Sequence, residues 1–316
     1  MTPGRTTAFE LRVRRIDDSV PGVRTLTLAP PDGGTLPSFT PGSHLVIECG
    51  RTANAYSLTS ESVAPDEYVV SVLECPAGAG GSRWIHHELA VGDSVVTRPP
   101  RSAFAPVLRA RRHLLIAAGI GITPMISHLR SAARWSREVQ LMYLHREGRG
   151  AYVEEIKALT DEARIYTERV SFLADLDPAL ASQPFGTHLY ICGPALFTDD
   201  VVAAAVAHGW PASRIHLERF GIDALDPGEP FEVALTASGG SLVVESGVSL
   251  LEALEARGHN IPNLCRQGVC GECRVPVAGG AVAHRDLFLS DADKAAGDSM
   301  MSCVSRAAGE RIELSL

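Results

Sequence analysis

The stretch NLCRQGVCGEC, residues 263–273, decides the fold of the C-terminal part of the chain. It places three of the seven cysteines within nine positions, with the spacing Cys265-x4-Cys270-x2-Cys273. Cys303 follows after 29 intervening residues. Three close thiolates and a distant fourth are the spacing at which one loop and one remote segment hold a [2Fe–2S] cluster. The stretch therefore predicts an iron–sulfur site with these four cysteines as ligands.

Two glycines in the loop support the iron–sulfur interpretation. Zinc binding and disulfide formation are the alternative uses of the cysteines. Gly268 and Gly271 lie inside the loop, where the backbone must approach sulfur closely, and glycine does this at the least steric cost. A zinc ribbon usually has two C-x2-C pairs, and this sequence has one. A disulfide framework fits an odd number of cysteines poorly. Zinc remains the alternative occupant.

The composition bounds the kind of protein. A chain of 316 residues suggests two domains, with three possible, at about 150 residues per domain. The net charge of −8 argues against a nucleic-acid partner, because phosphate binding needs a basic face. The longest apolar run, 13 residues at 114–126, is shorter than the about 20 residues that span a bilayer. The N-terminus lacks an apolar leader stretch, so we expect a cytoplasmic protein with no membrane partner.

The negative charge is concentrated near the C-terminus. Residues 227–316 carry 12 acidic and 7 basic side chains, which accounts for −5 of the total of −8. A solubilising surface and a docking face for a basic protein partner are both consistent with this distribution.

The first hundred residues indicate short strands separated by turns. Apolar or alternating stretches of strand length occur at residues 9–16, 23–29, 44–49, 56–60 and 68–75. Gly- and Pro-rich breaks separate them, and a helix is predicted near residues 81–90. Five or six strands at this spacing predict an antiparallel β-barrel.

From Arg112 onward the pattern alternates between strand and helix. Five short apolar strands occur here, with stretches of helical periodicity between them at 123–135, 151–163 and 196–209, which predicts a parallel doubly wound sheet. The turn-rich stretch at 221–230 is interpreted as a linker. Two further strands and a helix around Leu250–Arg257 precede the cysteine loop.

Two loops of the parallel sheet are candidate nucleotide-binding segments. The first, GIGITP, follows a strand and opens a helix, where backbone amides can meet a pyrophosphate. The second, CGP, ends a later strand, and the carboxyl ends of strands are where such sheets bind ligands. The candidate residues are Gly119, Gly121, Thr123, Pro124, Cys192, Gly193 and Pro194. A buried cysteine at this point is also an ordinary core residue.

Together these two motifs resemble the pyridine-nucleotide domain of the ferredoxin reductase superfamily. The resemblance implies that the first loop binds pyrophosphate and that Cys192 lies near the nicotinamide. Tyr143 and Arg146 in MYLHR match the superfamily's site around the adenine-side ribose. Glu147 follows, and an acidic group there favours a ribose hydroxyl over a phosphate, so we expect NADH rather than NADPH. Phe220 matches an aromatic residue that packs near the flavin ring.

A flavin is expected because hydride carries two electrons, whereas the cluster accepts one. NAYSLTS resembles the flavin motif of the superfamily, which puts Tyr56 against the ring and Ser57 at a ring nitrogen. The candidate flavin residues are Asn54, Ala55, Tyr56, Ser57, Leu58 and Thr59, with Gly80, Gly81 and Ser82 as the phosphate turn. Asn54 stands where the superfamily has arginine, so the flavin phosphate needs another partner, for which Arg51 and Arg83 are candidates.

The order of the motifs along the chain resembles the phthalate dioxygenase reductase family, which includes vanillate O-demethylase reductases. That resemblance implies an FMN-binding antiparallel β-barrel at 1–108, an NADH-binding α/β domain at 109–223 and, after the linker at 221–230, a β-grasp (α+β) ferredoxin domain at 230–316. It implies an oxidoreductase that passes electrons from NADH through FMN and a [2Fe–2S] cluster to a Rieske-type non-haem iron oxygenase. Ser57, Cys192 and Phe220 would act at the hydride-transfer site.

Two other functions remain open from the sequence. The first is an electron-transfer subunit of another dehydrogenase or oxygenase complex. Dehydrogenase subunits built on the same superfamily have their fourth cysteine about a dozen residues on, and the 29-residue gap argues against them. The second is a redox sensor that binds zinc at the cysteines and NADH at the nucleotide loops.

Overall fold

The computed structural model divides the chain into two compact units, residues 1–220 and 221–316. It describes residues 8–50, 52–76, 80–102, 104–218, 220, 228–263, 268, 271–286 and 288–316. Among these residues, no helix has both the length and the apolar character needed to cross a membrane.

The N-terminal part of the first unit is an antiparallel sheet. The described residues form seven strands and one helix here: β1 Phe9–Val20, β2 Val23–Ala29, β3 Ser43–Cys49, β4 Thr52–Ser57, β5 Tyr68–Leu73, α1 Gly81–His87, β6 Ser94–Thr97 and β7 Arg101–Ser102. The strand order is β4-β3-β6-β1-β2-β5, and β7 pairs with β3. An antiparallel bridge from Leu58 to Val70 joins the chain just after β4 to β5, which closes the sheet into a barrel.

The barrel follows the predicted strands, but some bounds and the number of strands differ. β1 continues to Val20, four residues beyond the end of the predicted strand. β4 begins four residues before the predicted strand, because Cys49 pairs with Thr52 in a tight hairpin from β3. β6 and β7 were not predicted as separate strands. Both are short, and β6 pairs with β1 on one side and β3 on the other. The core holds Leu11, Leu26, Leu45 and other inward-facing apolar side chains. Burying them is the main stabilisation of such a barrel.

The second part of this unit is a five-stranded parallel sheet. Its strands are β8 Arg112–Ala118, β9 Val139–Leu144, β10 Ala163–Tyr166, β11 Thr187–Cys192 and β12 Ile215–Glu218. The helices are α2 Ile122–Arg134, α3 Val153–Leu159, α4 Arg169–Ala181 and α5 Ala195–Ala207. The strand order within the described residues is β10-β9-β8-β11-β12, and every pairing is parallel. The predicted doubly wound sheet is therefore confirmed.

The second unit is a mixed sheet with a helix packed on it. Its elements are β13 Phe231–Leu235, β14 Ser241–Val244, α6 Leu250–Ala256, β15 Arg274–Gly279, β16 Val282–Ala283, α7 Asp291–Ala296, β17 Ser299–Met301, β18 Arg306–Ala307 and β19 Arg311–Leu314. The strand order is β14-β13-β19-β15-β17, with β13 and β19 parallel. Leu250, Leu251 and Leu254 of α6 lie in its core. A Ser249–Glu252 capping box begins that helix. The predicted α+β fold is confirmed.

Candidate functional site

The two glycine-containing loops of the parallel sheet meet at its carboxyl edge. β8 and β11 are adjacent, and the strand order changes direction between them. In sheets of this type, ligands bind beyond the carboxyl ends of the strands at such a point. A Cβ on Gly121 would lie 2.3 Å from the carbonyl oxygen of Cys192 and 2.8 Å from the nitrogen of Gly193. A Cβ on Gly193 would lie 3.0 Å from the Ala118 Cβ. Gly121 is required because it packs against the backbone of the second loop, and a side chain at Gly193 would crowd Ala118 and Phe197.

The first turn of α2 completes the loop. Gly119 has a φ of +55°, in the left-handed region that glycine reaches without strain. Thr123 is buried, and its hydroxyl donates a hydrogen bond to the Ile120 carbonyl at 2.9 Å. Pro124 lies in the first turn, where its missing N–H removes no helical hydrogen bond. Pro194 likewise directly precedes α5. The sequence-predicted residues of the two loops are thus brought together.

Cys192 lies beside a buried carboxyl group that the sequence reasoning missed. Glu218 pairs with Cys192 across β11 and β12, and burial raises the pKa of Glu218 to about 8. Burial also raises the pKa of the Cys192 thiol well above its ordinary value, and the neighbouring Glu218 adds to this. The Glu218 Oε2 atom is buried without a hydrogen-bond partner among the described residues. At neutral pH both groups hold a proton at the sheet edge where the nucleotide loops end.

The barrel strand β4 carries two buried hydroxyl groups with unused hydrogen-bonding capacity. Within the described part of the chain, neither Tyr56 Oη nor Ser57 Oγ has a hydrogen-bond partner. Burial beside Cys49 raises the pKa of the Tyr56 hydroxyl. Because buried hydroxyls are normally hydrogen-bonded, two such groups on one strand indicate a bound polar group. They fit a flavin, which has a flat aromatic ring with nitrogen and oxygen acceptors.

The predicted phosphate turn lies next to Asn54. Gly80 has a φ of +101° and directly precedes α1. A Cβ on Gly81 would lie 2.3 Å from the Asn54 Oδ1 atom, so the amide sits against the start of the helix. Ser82 Oγ accepts a hydrogen bond from the Cys75 nitrogen at 3.0 Å. Arg83 is exposed in the first turn of α1, whereas Arg51 lies outside the described residues.

The remaining flavin-motif residues serve the barrel framework. Ala55 pairs with Val46, and the Leu58 side chain is fully buried in the barrel core. The Thr59 hydroxyl donates to the Val69 carbonyl at 3.1 Å and accepts from the Tyr152 hydroxyl at 3.0 Å. Thr59 is therefore engaged where the barrel meets the parallel sheet.

The ribose-site candidates differ in exposure. Tyr143 is fully buried in the core, and its hydroxyl accepts a hydrogen bond from the Ala151 nitrogen at 3.2 Å. Arg146 and Glu147 are exposed in the turn after β9, which is closed by a hydrogen bond from the Arg149 nitrogen to the Arg146 carbonyl. Phe220, just after β12, is 42% exposed.

The cysteine site lies where β15 begins and β17 ends. Cys273 directly precedes β15 and Cys303 follows β17, and the antiparallel pairing of these strands brings their Sγ atoms within 3.0 Å. Both side chains are buried. Gly268 and Gly271 have φ values of +71° and +83°, as the close approach of the loop requires. Two adjacent buried sulfurs fit ligation of a common iron centre. Cys265 and Cys270 lie outside the described residues.

Comparisons with known proteins agree with this architecture. Residues 93–215 match the family model for the N-terminal domain of dimethylamine monooxygenase subunit DmmA-like proteins. Residues 234–308 match the model of the 2Fe-2S iron-sulfur cluster binding domain. The beta subunit of a heme-dependent oxidative N-demethylase from Ectopseudomonas mendocina (strain ymp) is 40% identical over 315 residues, covering 98% of this chain and 100% of that protein.

Solved structures match over nearly the whole chain. Phthalate dioxygenase reductase, described as a modular structure for electron transfer from pyridine nucleotides to [2Fe-2S], matches with a TM-score of 0.67 and 30% identity over 98% of both chains. An intact type IV self-sufficient cytochrome P450 monooxygenase matches with a TM-score of 0.69 and 33% identity over 98% of this chain. This chain spans 41% of the length of that P450 chain.

A barrel, a doubly wound nucleotide sheet and a 2Fe-2S domain in one chain define a flavin-dependent iron–sulfur reductase of the ferredoxin reductase type. The full-length similarity shows that the chain belongs to the phthalate dioxygenase reductase family, as its motifs predicted. It is an oxidoreductase, the reductase component of an oxygenase system, with electron transfer through a [2Fe–2S] cluster. FMN, NADH and that cluster are the cofactors of the family.

Proposed function

We propose that this chain takes electrons from NADH, converts them with FMN and delivers them singly through its [2Fe–2S] cluster to an oxygenase that docks on the ferredoxin unit. When bound, the flavin supplies the conversion between the two electrons of a hydride and the one-electron chemistry of the cluster. The observation that carries the proposal is the pair of buried, unpartnered hydroxyls of Tyr56 and Ser57 in the same compact unit as the nucleotide loops.

Each part of the chain has a distinct task in this proposal. Tyr56 and Ser57 orient the ring, while Asn54 and the turn at Gly80, Gly81 and Ser82 hold the phosphate. The loops at Gly119 and Cys192 bind the pyrophosphate and direct the nicotinamide, with Phe220 near the ring. Cys265, Cys270, Cys273 and Cys303 ligate the cluster. The corresponding domains are 1–108, 109–223 and 230–316.

Preference for NADH follows from the turn after β9. Glu147 is exposed there beside Arg146, and a carboxylate at that place repels a ribose 2′-phosphate while accepting a hydrogen bond from a 2′-hydroxyl. Because cytosolic thiols are kept reduced, cysteine ligands are maintained in that compartment. We place the protein in the cytoplasm.

An anaerobic titration of the purified protein with NADH tests the proposal. The flavin and iron–sulfur absorption bands should both bleach, and NADPH should be less effective at equal concentration. A flavin band that bleaches without any cluster absorption would remove the cluster from the electron path. A colourless protein that contains zinc would contradict the proposal and favour the sensor function.

The oxygenase partner has two candidates. A Rieske-type non-haem iron oxygenase is the partner expected from the resemblance to phthalate dioxygenase reductase. A haem-dependent N-demethylase is the second, and it is supported by the 40% identity to the beta subunit of such an enzyme over the whole chain. Supplying this reductase and NADH separately to a purified oxygenase of each type, and measuring demethylated product per NADH consumed, distinguishes them. With the true partner type, the amount of product formed should closely match the amount of NADH consumed.

A further inference from the structure

The segment after β16 packs against both glycines of the cluster loop. A Cβ on Gly268 would lie 3.0 Å from the Cα and Cβ atoms of Asp286. A Cβ on Gly271 would lie 2.3 Å from the Phe288 ring. Two residues of one segment therefore pack against two glycines of the loop. A side chain at Gly271 would overlap the Phe288 ring, and one at Gly268 would overlap Val304 Cγ2, 2.6 Å away, and crowd Asp286. Phe288 is 47% exposed, whereas Asp286 is 2% exposed.

Asp286 is a buried carboxylate held by two donors. Its Oδ2 atom accepts a hydrogen bond from the Leu289 nitrogen at 2.9 Å, and its Oδ1 atom accepts one from Ser305 Oγ at 3.1 Å. Ser305 Oγ itself accepts from the Arg285 nitrogen at 3.2 Å, so its own proton is directed at Asp286. Both carboxyl oxygens therefore accept hydrogen bonds, as a buried acceptor requires.

One hydrogen bond and one packing contact of Asp286 connect the two segments that carry the cysteines. Ser305 follows Cys303 by two residues, and Asp286 touches the loop between Cys265 and Cys273 through Gly268. Two further side chains lie against Asp286. His284 Nδ1 lies 3.4 Å from Oδ1, and the Lys294 ammonium donates to the backbone carbonyl of Asp286 at 2.8 Å. A charge this deeply buried is screened by salt much less than a surface charge.

We infer that Asp286 is a positioning residue of the [2Fe–2S] centre, which ties the cluster loop to the Cys303 segment, and that its buried negative charge keeps the reduction potential of the cluster low. A fixed negative charge disfavours the addition of an electron, and nearby charge is one of the ways in which a protein sets such a potential. The inference rests on the proposed cysteine ligands and is independent of which oxygenase receives the electrons.

The test is the midpoint potential of the cluster in the purified full-length protein, measured by a redox titration monitored by electron paramagnetic resonance. Asp286→Asn keeps the size of the side chain and removes the charge, so the potential should rise while iron and sulfide content stay at the wild-type level. Asp291→Asn is the matched control, because it makes the same change at an exposed position of α7. An unchanged potential in Asp286→Asn, or an equal rise in the control, would overturn the inference.

A second variant keeps the test decisive if Asp286→Asn fails to assemble a cluster. Ser305→Ala retains the carboxylate and removes a donor that offsets its charge, so the potential should fall below the wild-type value. A potential that stays the same or rises in Ser305→Ala would contradict the role of the charge. Neither the iron and sulfide analysis nor the redox titration uses NADH or an oxygenase. A failure of the electron-delivery proposal would therefore leave these measurements unchanged and would be recognised separately.

Discussion

At the scale of single residues, the buried carboxyl group of Glu218 has a consequence for stability. Its pKa is raised by burial from 4.5 to about 8. Between these two values the unfolded chain loses the proton while the folded chain keeps it, so the free energy of unfolding falls as the pH rises. Below pH 4.5 both states are protonated, and above pH 8 the loss is complete.

Replacing Glu218 by glutamine should remove this pH dependence. Relative to the wild type, Glu218→Gln should gain stability between about pH 4.5 and pH 8, reaching on the order of a few kcal/mol. Thermal unfolding midpoints measured across this range check the prediction. Glu162→Gln changes an exposed carboxyl group, so its unfolding midpoint should change with pH as that of the wild type does. If the unfolding midpoint of Glu218→Gln changed with pH as that of the wild type does, the pKa of Glu218 would not be raised in the folded protein.

Ser57 supplies a second prediction at this scale. Its buried Oγ has no hydrogen-bond partner among the described residues, and we expect it to bind the flavin ring. Ser57→Ala should slow the reduction of the flavin by NADH roughly tenfold or more, since a hydrogen bond to a group that gains charge is worth about 1.5–3 kcal/mol. Stopped-flow absorption under anaerobic conditions measures the rate.

The control for Ser57 is Ser60→Ala in the same segment. Ser60 is also buried, and its Oγ accepts a hydrogen bond from the Val69 nitrogen at 3.2 Å within the barrel. This variant should lose stability with little effect on the hydride-transfer rate. Equal slowing in both variants would assign the effect of Ser57→Ala to the barrel rather than to the flavin.

At the scale of secondary-structure elements, α3 is fastened to the barrel. Tyr152, just before α3, has a φ of +62°, which is unusual for a residue other than glycine. Its hydroxyl lies 2.6 Å from Ser71 Oγ and 3.0 Å from Thr59 Oγ1. Arg130 of α2 binds Glu155 at 2.6 Å and also donates to the Thr59 carbonyl. The strand that carries Ser57 is thereby linked to the helices beside the nucleotide loops.

Tyr152→Phe should loosen this link. The loss of two buried hydrogen bonds costs about 1–3 kcal/mol, and the flavin should be reduced more slowly because the nicotinamide is held less accurately. Thermal unfolding and stopped-flow reduction by NADH measure the two effects. Tyr166→Phe is the control, since its hydroxyl donates to Asp175 of α4 at 2.8 Å, a bond that does not involve the barrel. Slowing of both variants to the same degree would contradict the positioning role.

Local patterns predicted most elements before the cysteine loop, and the exceptions there have physical causes. No individual strand or helix was predicted after Cys273. Strands buried on both faces were recognised from apolar runs, as in β8 and β11. Helix α4 was not predicted, because Pro178 lies inside it and its buried positions are few: Phe172, Leu176, Ala179 and Leu180. The strands β6 and β7 were missed because four and two residues are too short for a period to be recognised.

At the scale of the whole molecule, charge predicts how the reductase meets its partner. The excess of 12 acidic over 7 basic side chains in residues 227–316 favours a partner with a basic face. Coupled turnover with the oxygenase should therefore weaken as ionic strength rises, because the screening length falls from about 10 Å at 0.1 M salt to about 3 Å at 1 M. Reduction of a small dye by NADH serves as the control. A coupled rate that is no more salt-sensitive than dye reduction would contradict this docking mode.

The sequence by itself determined the classes of chemistry in this protein. Cysteine spacing, glycine at the nucleotide loops and the flavin motif are short-range features, and each can be recognised wherever its segment lies in the fold. Strand and helix periods are equally local, so the barrel, the parallel sheet and their order along the chain were predictable.

Only the tertiary structure decided which distant residues meet. Glu218 lies beside Cys192, Gly121 packs on the Cys192 backbone, and Asp286 bonds to Ser305 beneath the cluster loop. These neighbours are set by strand order and by the path of loops between strands, which a local pattern does not encode. The same packing buries both carboxyl groups. Burial raises the pKa of Glu218, and it reduces the screening of the Asp286 charge by solvent and salt.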